Sequence, residues 1–388
     1  MSRRDTVLGI DASNLRGGGG LTHLVELLRV AQPQEHGLDR VIVWGGSSTL
    51  NQMENRPWLR KVHEPLLDRP LPMRLYWQRF NLDRLARQEG CDVLFVPGGS
   101  YSGSFRPFVT MCRNMLPFEW SEARRYGISW FTLKLLLLRR SQLTTFRQAD
   151  GLIFLTEYAQ TAISPFLNGT IGRIALIPHG VDERFRKKPK PQRPISTYSV
   201  ELPFQLLYVS PVAPYKHQWH VMEAVHRLRQ MGLPLVLEMV GPIDHSGKRF
   251  LKALSQWDPK GKWIKCRGEI PFIYLHEIYQ EAEVFVYASS CENMPNILLE
   301  AMAAGLPIAS SNRGPMPEML DKTAVYFDPE NSVEIANAIK TLVDDPHLRE
   351  EKSWASYEAA KPYTWRRCAQ GTFDFIAQVA QNASARMK

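Results

Sequence analysis

Short apolar runs alternate with segments that are apolar at helical spacing along almost the whole chain. TVLGIDAS (6–13) reads as a buried strand, four glycines follow at Gly17 to Gly20, and LTHLVELLRV (21–30) reads as a helix. VIVWGG (41–46), DVLFVPGGS (92–100) and FVTMC (108–112) read as further strands. GLIFLTEYAQTAISPF (151–166) reads as a strand then a helix, and IALIPHGVD (174–182) as a strand running into a turn. Strands buried on both faces read as near-continuous apolar runs, so the pattern predicts a parallel sheet with helices on both sides.

Residues 186–203, RKKPKPQRPISTYSVELP, break the pattern; they are rich in Lys, Arg and Pro and have no apolar period. The alternation then resumes. QLLYVS (205–210), LPLVLEMVGP (233–242), WIKCRGEI (263–270), EVFVYAS (283–289), LPIASS (306–311) and TAVYFDP (323–329) read as strands. HVMEAVHRLRQMG (220–232), YLHEIYQEA (274–282), PMPEMLDK (315–322) and NSVEIANAIKTLVDD (331–345) read as helices. The expected division is a first domain over 1–185, a linker over 186–203 and a second domain over 204–362. The same strand-turn-helix habit recurs in each half, so both domains are predicted to be doubly wound α/β.

The length of 388 residues suits two domains of ~150–200 each, and 44% hydrophobic residues can fill two cores. The five cysteines, Cys91, Cys112, Cys266, Cys291 and Cys368, are scattered without C-x-x-C spacing, which argues against a disulfide framework or structural zinc. Asp11 interrupts the first apolar stretch before it reaches the length of a signal core, and no run approaches the ~20 apolar residues of a spanning helix. The expectation is a cytoplasmic protein, or one held on the cytosolic face of a membrane. A net charge of +9 suits an anionic partner or simply a basic, solvated surface. Two stretches, RLYWQRFNLDRLAR (74–87) and WFTLKLLLLRRSQLTTFR (130–147), combine bases with apolar bulk. They fit either an anionic membrane surface or core helices with one basic face. No nucleic-acid motif supports that alternative.

Several motifs fail. Gly17–Gly20 is not G-x-G-x-x-G, and Gly241 to Lys248 has the wrong spacing for a phosphate-binding loop. Lys216-His217-x-x-His220 lacks a third metal ligand, and no Asp-x-Asp occurs. No metal and no cofactor are expected. One stretch succeeds: SSCENMPNILLEAMAAGLPIASSN (289–312) places Glu292 and Glu300 around a helix start. The helix is predicted to begin near Pro295 with Asn293 as its cap, to end at Gly305 and to be stopped by Pro307. On one helix the two acids would stand ~12 Å apart at 1.5 Å per residue. That exceeds the ~5–9.5 Å of a glycosidase acid pair. The pair suits two hooks on an elongated ligand with an anion between them at the helix N-terminus, as in a nucleotide sugar. On spacing alone, a first-turn acid and an unrelated loop acid fit as well.

ENMPNILLEAMAAGLPIASSNRGPMPEML (292–320) resembles the signature of the retaining GT-B glycosyltransferases, glycosyltransferase family four of the group 1 type. IPHGVDERF (177–185), LLYVSPVAPYKHQWHVMEAV (206–225) and YTWRRCAQGTFDFI (363–376) resemble further segments of that family. The resemblance implies a GT-B fold: two Rossmann-like domains facing a central cleft, with the C-terminal helix (363–388) crossing back to the first. It implies that Glu300 holds the ribose hydroxyls, Glu292 the donor sugar, and Lys216 the departing diphosphate. Backbone near Met294, Asn296 and Ile297 would face the diphosphate, and backbone at Glu269 and Ile270 the base. Gly18 and Gly19 would allow close approach to the diphosphate and acceptor.

Two positions depart from the pattern. Pro211 stands where the family usually has Arg, and Arg113-Asn114 where it has His-Asp; the reading places Arg113 and Asn114 in the catalytic set, with Arg113 able to replace the lost charge. The implied function is transfer of a sugar from a nucleotide sugar to a hydroxyl of a glycan or lipid-linked acceptor. Bacterial polysaccharide or lipopolysaccharide assembly is the implied setting. The alternatives are a nucleotide-sugar epimerase or hydrolase on the same fold, and a nucleotide-binding partner subunit that does not turn over.

Overall fold

The structure is a computed structural model of the chain and describes residues 5–167, 169, 172–243 and 247–386. Arg3 and Arg4, residues 244–246 within the 241–248 stretch, and the last two residues of the tail lie outside the described residues. The chain divides into two compact units. Unit 1 comprises 1–118, 128–180 and 364–388, and unit 2 comprises 119–127 and 181–363. The segment 186–203 therefore belongs to unit 2, and so do nine residues, 119–127, that the sequence places in the first domain.

Unit 1 is built on β1 (Val7–Asp11), β2 (Arg40–Gly45), β3 (Leu59–His63), β4 (Val93–Val96), β5 (Phe108–Met111), β6 (Gly151–Phe154) and β7 (Arg173–Leu176). They form one sheet in the order β3-β2-β1-β4-β5-β6-β7. Every pairing is parallel. The central strands carry Leu8, Ile10, Val41, Leu94, Phe95 and Val109 essentially without exposure, each contributing roughly 1.5–3 kcal/mol of burial. β3 (LRKVH) escaped the sequence reading because it is an edge strand, half-exposed along its length, with charges in place of an apolar run.

Unit 2 is built on β8 (Phe204–Val209), β9 (Leu235–Val240), β10 (Ile264–Gly268), β11 (Val284–Tyr287), β12 (Ile308–Ser311) and β13 (Ala324–Phe327). Their order is β10-β9-β8-β11-β12-β13, again all parallel. In each sheet the strand order reverses once. The reversal lies between β1 and β4 in unit 1 and between β8 and β11 in unit 2, where loops leaving the strand ends diverge and open a crevice.

The C-terminal helix Trp365–Arg386 belongs to unit 1, where it packs against the helix Gly18–Val30. Its residue Asp374 meets His36 at 2.6 Å, and Phe373 and Ile376 are buried. A further helix, Pro346–Ala360, has no counterpart in the apolar pattern. It is organised around Arg349, which is fully buried and donates to the carbonyls of Leu342 and Val343 and to the side chain of Gln192.

Candidate functional site

The loops that follow β8 and β11 at the unit 2 reversal carry the residues singled out in the sequence. After β8 the chain makes the 3-10 turn Pro214–Lys216, and after β11 it runs through Ser289 and Glu292. Lys216 Nζ donates to Glu292 Oε1 and, at 3.1 Å, to the Tyr287 hydroxyl. The same Glu292 oxygen accepts from Tyr287 at 2.5 Å and from Ser289 Oγ at 2.6 Å. The Lys216 side chain is 7% exposed and that of Glu292 14%, so water screens the pair little and the remaining hydrogen bonds compensate for its desolvation. Burial first, and the Glu292 charge second, hold the Tyr208, Tyr215 and Tyr287 phenols far above their ordinary range, so they stay protonated donors. Tyr208 donates to the Lys216 carbonyl and fixes the backbone that carries the ammonium.

Just beyond Glu292 the helix Asn296–Ala303 begins. Its cap is Pro295 rather than the expected Asn293, and no side chain of the cap accepts from its first N–H groups. Leu298 and Leu299 donate to the Pro295 carbonyl, which leaves, among the described residues, the Asn296 and Ile297 N–H groups and the positive end of the helix dipole to meet an anion. Met294 is buried, and the Asn296 side-chain oxygen is buried without a hydrogen-bond partner. Leu298, Leu299 and Met302 anchor the helix in the core, and Gly305 ends it in the left-handed region at φ 64°. Glu300 is 6% exposed, and burial pushes its carboxyl up to about 7 against the lowering effect of the Tyr279 hydroxyl. Tyr279 donates within 3.0 Å of Glu300 Oε2 and 3.1 Å of the Ile297 carbonyl, tying the acid to the first turn. Glu269 and Ile270 follow the end of β10, with Glu269 exposed.

Unit 1 gathers the other candidates at its own strand ends. The helix Gly18–Val30 follows β1; Gly18 adopts φ 62°, which favours glycine, and Gly18 and Gly19 are exposed. Arg113 follows β5 and lies so close that a Cβ at Gly20 would stand 2.9 Å from its Nη1. Arg113 makes no hydrogen bond or ion pair among the described residues, and burial lowers its guanidinium to about 10. Nearby His23 and His179 stack edge to face at 4.7 Å. Burial holds both neutral, His179 at about 3, and the Arg113 charge pushes in the same direction. Asn114 is exposed, and its side-chain oxygen accepts from Leu116 N at 3.0 Å, so it shapes the turn.

Residues 17–185 match the family Glycosyltransferase Family 4, and residues 196–359 match Glycosyl transferases group 1. The chain belongs to the group 1 glycosyltransferases. It is 28% identical over 173 residues to O-antigen chain mannosyltransferase B of Escherichia coli, a match covering 43% of this chain and 44% of that protein. It is 24% identical over 217 residues to D-inositol 3-phosphate glycosyltransferase of Paenarthrobacter aurescens, covering 53% and 51%. The matches thus span about half the length of these curated relatives. Among solved structures, sucrose-phosphate synthase from Thermosynechococcus elongatus has a TM-score of 0.75 at 17% identity, covering 98% of this chain and 100% of that one. Anabaena HepE in complex with UDP-glucose has a TM-score of 0.66 at 16% identity, covering 98% and 99%. These likenesses establish the GT-B fold, as the sequence resemblance implied.

The sequence reading missed a second layer behind Lys216. Glu122 and Arg125 lie in the segment 119–127 and bond to residues far along the chain. Arg125 donates to Glu122 Oε2 at 2.7 Å and to both Glu330 oxygens, at 3.0 and 2.6 Å. Ser290 Oγ donates to Glu122 Oε2 at 2.7 Å and lies 2.9 Å from His217 Nε2. Partners 168 and 205 positions apart leave no local spacing to read. His217 and His220 stack at 5.3 Å, and His220 Nδ1 lies 3.0 Å from the Pro329 carbonyl. Among the described residues, no group of three or more His, Cys, Asp or Glu is placed to hold a metal.

Proposed function

We propose that the chain is a retaining, metal-independent glycosyltransferase that takes a sugar from a nucleoside-diphosphate donor held by unit 2. The observation that carries the reading is the Lys216–Glu292 pair, set at a strand-order reversal directly before an uncapped helix N-terminus, with the buried carboxyl of Glu300 on that helix. A diphosphate at the helix start would share the Lys216 ammonium with Glu292 and take the free N–H groups, neutralising the leaving group without a cation. Glu292 would then accept from donor-sugar hydroxyls and Glu300 from ribose hydroxyls. The acceptor oxygen bonds to the anomeric carbon as the carbon–phosphate oxygen bond breaks, and the acceptor proton passes to that departing oxygen on the same face. Binding the acceptor falls to unit 1, and its class is a glycan or lipid-linked hydroxyl in bacterial surface-polysaccharide assembly. The O-antigen mannosyltransferase relative supports that setting.

Peripheral attachment to the cytosolic face of a membrane belongs to the same reading. No described helix is long and apolar enough to cross a bilayer. The helices Leu71–Phe80 and Trp130–Gln148 expose Tyr76, Phe80 at 62%, Trp130 at 76% and Leu137 at 58%. Arg79, Lys134 and Arg140 lie exposed on the same two helices. That mixture suits anionic head groups over apolar chains. Flotation with anionic and with neutral vesicles tests it; equal recovery from both would remove the charge argument.

Thermal stabilisation by a panel of UDP-, GDP-, dTDP- and ADP-sugars, followed by turnover of the best binder, tests the main reading. Lys216→Ala and Glu292→Ala are expected to abolish transfer, and unchanged product yield in both would falsify the reading. Pro211, where the family usually has Arg, favours one competitor: a subunit that binds nucleotide without turnover. Stabilisation by a donor with no product across an acceptor panel would select it. Donor consumption without acceptor would select a hydrolase or epimerase.

A further inference from the structure

We infer that Glu122 is a positioning residue for Lys216, acting through Ser290 and His217; the inference rests on the reading that Lys216 meets the donor diphosphate. Proton accounting sets the direction of the relay. Ser290 has one hydroxyl proton and two nearby acceptors, Glu122 Oε2 at 2.7 Å and the Tyr215 carbonyl at 3.3 Å. The shorter, charge-assisted bond to Glu122 takes the proton. Ser290 Oγ must then accept from His217, 2.9 Å away, so His217 carries its proton on Nε2. His217 has one proton to place, because burial, with the His220 and Arg125 charges, lowers it to about 3. Its Nδ1 is accordingly bare, and it is buried without a hydrogen-bond partner.

The relay matters because of where His217 sits. It follows Lys216 directly and adopts φ 52° and ψ 29°, a left-handed conformation that strains a side-chain-bearing residue. The bond to Ser290 offsets that strain and holds the bend between the Pro214–Lys216 turn and the helix Gln218–Gln230. Ser290 also donates its backbone N–H to the Tyr215 carbonyl at 2.8 Å, so the loop of Lys216 and the loop of Glu292 close on each other through one residue. Glu122 is held for this task by Arg125, which grips it at 2.7 and 3.1 Å and is itself anchored on Glu330. None of these groups need touch the donor. They fix the backbone from which the ammonium projects, where a misplacement of about 1 Å can cost 10²-fold.

The test uses the full chain and whichever of UDP, GDP, ADP and dTDP most raises the wild-type thermal midpoint, with its parent nucleoside as the control ligand. Calorimetry is expected to show roughly tenfold weaker diphosphate binding in Glu122→Ala and in Ser290→Ala, with nucleoside binding unchanged, since only the phosphate contact is displaced. Glu122→Gln should recover to within about threefold, because its carbonyl oxygen accepts the same Ser290 proton. Ser290→Ala carries the test if Glu122→Ala does not fold. Wild-type diphosphate affinity in Ser290→Ala, or equal losses for nucleoside and diphosphate, overturns the positioning role. Wild-type diphosphate affinity in Lys216→Ala, or no stabilisation of the wild type by any of the four nucleotides, overturns the donor-site reading itself.

Discussion

At the β8/β11 reversal of unit 2, Lys216 meets Glu292 within a ring of hydroxyls. After β5 in unit 1, Arg113 meets Gly20 and two neutral histidines and, among the described residues, no carboxylate. Both places sit at the strand ends of sheets with the same winding, so topology explains why each is a candidate site and not why they differ. The difference lies in electrostatic balance. Unit 2 satisfies its cation with its own carboxylate and hydroxyl, and the proposed donor diphosphate would have to share it. Unit 1 holds a guanidinium beside the positive end of the Gly18–Val30 helix, an arrangement that costs stability and that an anion would relieve.

The largest effect expected from this contrast is at Lys216. Lys216→Met leaves Glu292 buried without its cation. It should lower stability by about 3 kcal/mol and kcat/KM by roughly 10²–10³-fold. Denaturant melts and donor turnover check the two numbers, and loss of activity with stability intact would mean the pair is not balanced as described.

An intermediate effect is expected from acid. His23 and His179 in unit 1 are held below their ordinary range by burial, so below ~6.5 the unfolded chain binds more protons and stability falls as pH falls. Asp11, raised by burial, opposes them with one group. In unit 2, His217 and His220 act in the destabilising sense, while Glu300, raised by burial to about 7, acts in the opposite sense between ~4.5 and that value, and Glu238, also raised by burial, acts in the same direction as Glu300. Unit 1 should therefore lose protection faster than unit 2 as pH drops from 6.5 to 5, by on the order of 1 kcal/mol per pH unit. Hydrogen exchange resolved by unit reads this directly; parallel losses in both units would break the contrast.

The smallest effect has the opposite sign to the first. Arg113→Met removes a cation from the positive end of a helix, so it should raise stability by about 0.3–1 kcal/mol while weakening transfer. A fall in the thermal midpoint as large as that of Lys216→Met would erase the distinction between the two sites.

Much of this was legible in the sequence because the physics is local. Buried strands such as VLGID and VFVY show as continuous apolar runs, and the Gly305 stop marks the helix that carries Glu300. The readable parts of the site, Lys216, Glu292 and Glu300, come from family resemblance and short spacing. The unreadable parts come from contacts that composition hides. Arg349 looks like a surface residue and organises a core, and β3 looks like a loop because its edge position tolerates charge. Glu122 and Arg125 look like solvated charges and close a relay onto Ser290 and Glu330, 168 and 205 positions away. The segment 186–203 looks like a free linker, yet it supplies the Gln192 oxygen and the Arg193 carbonyl that Arg349 requires.

A crystal structure with an intact nucleoside-diphosphate sugar tests the central claim most directly. The account predicts the diphosphate at the N-terminus of the helix Asn296–Ala303, within hydrogen-bond distance of Lys216 Nζ, with the ribose hydroxyls on Glu300. A donor bound elsewhere, or one in place while Lys216 remains paired solely with Glu292, would contradict it.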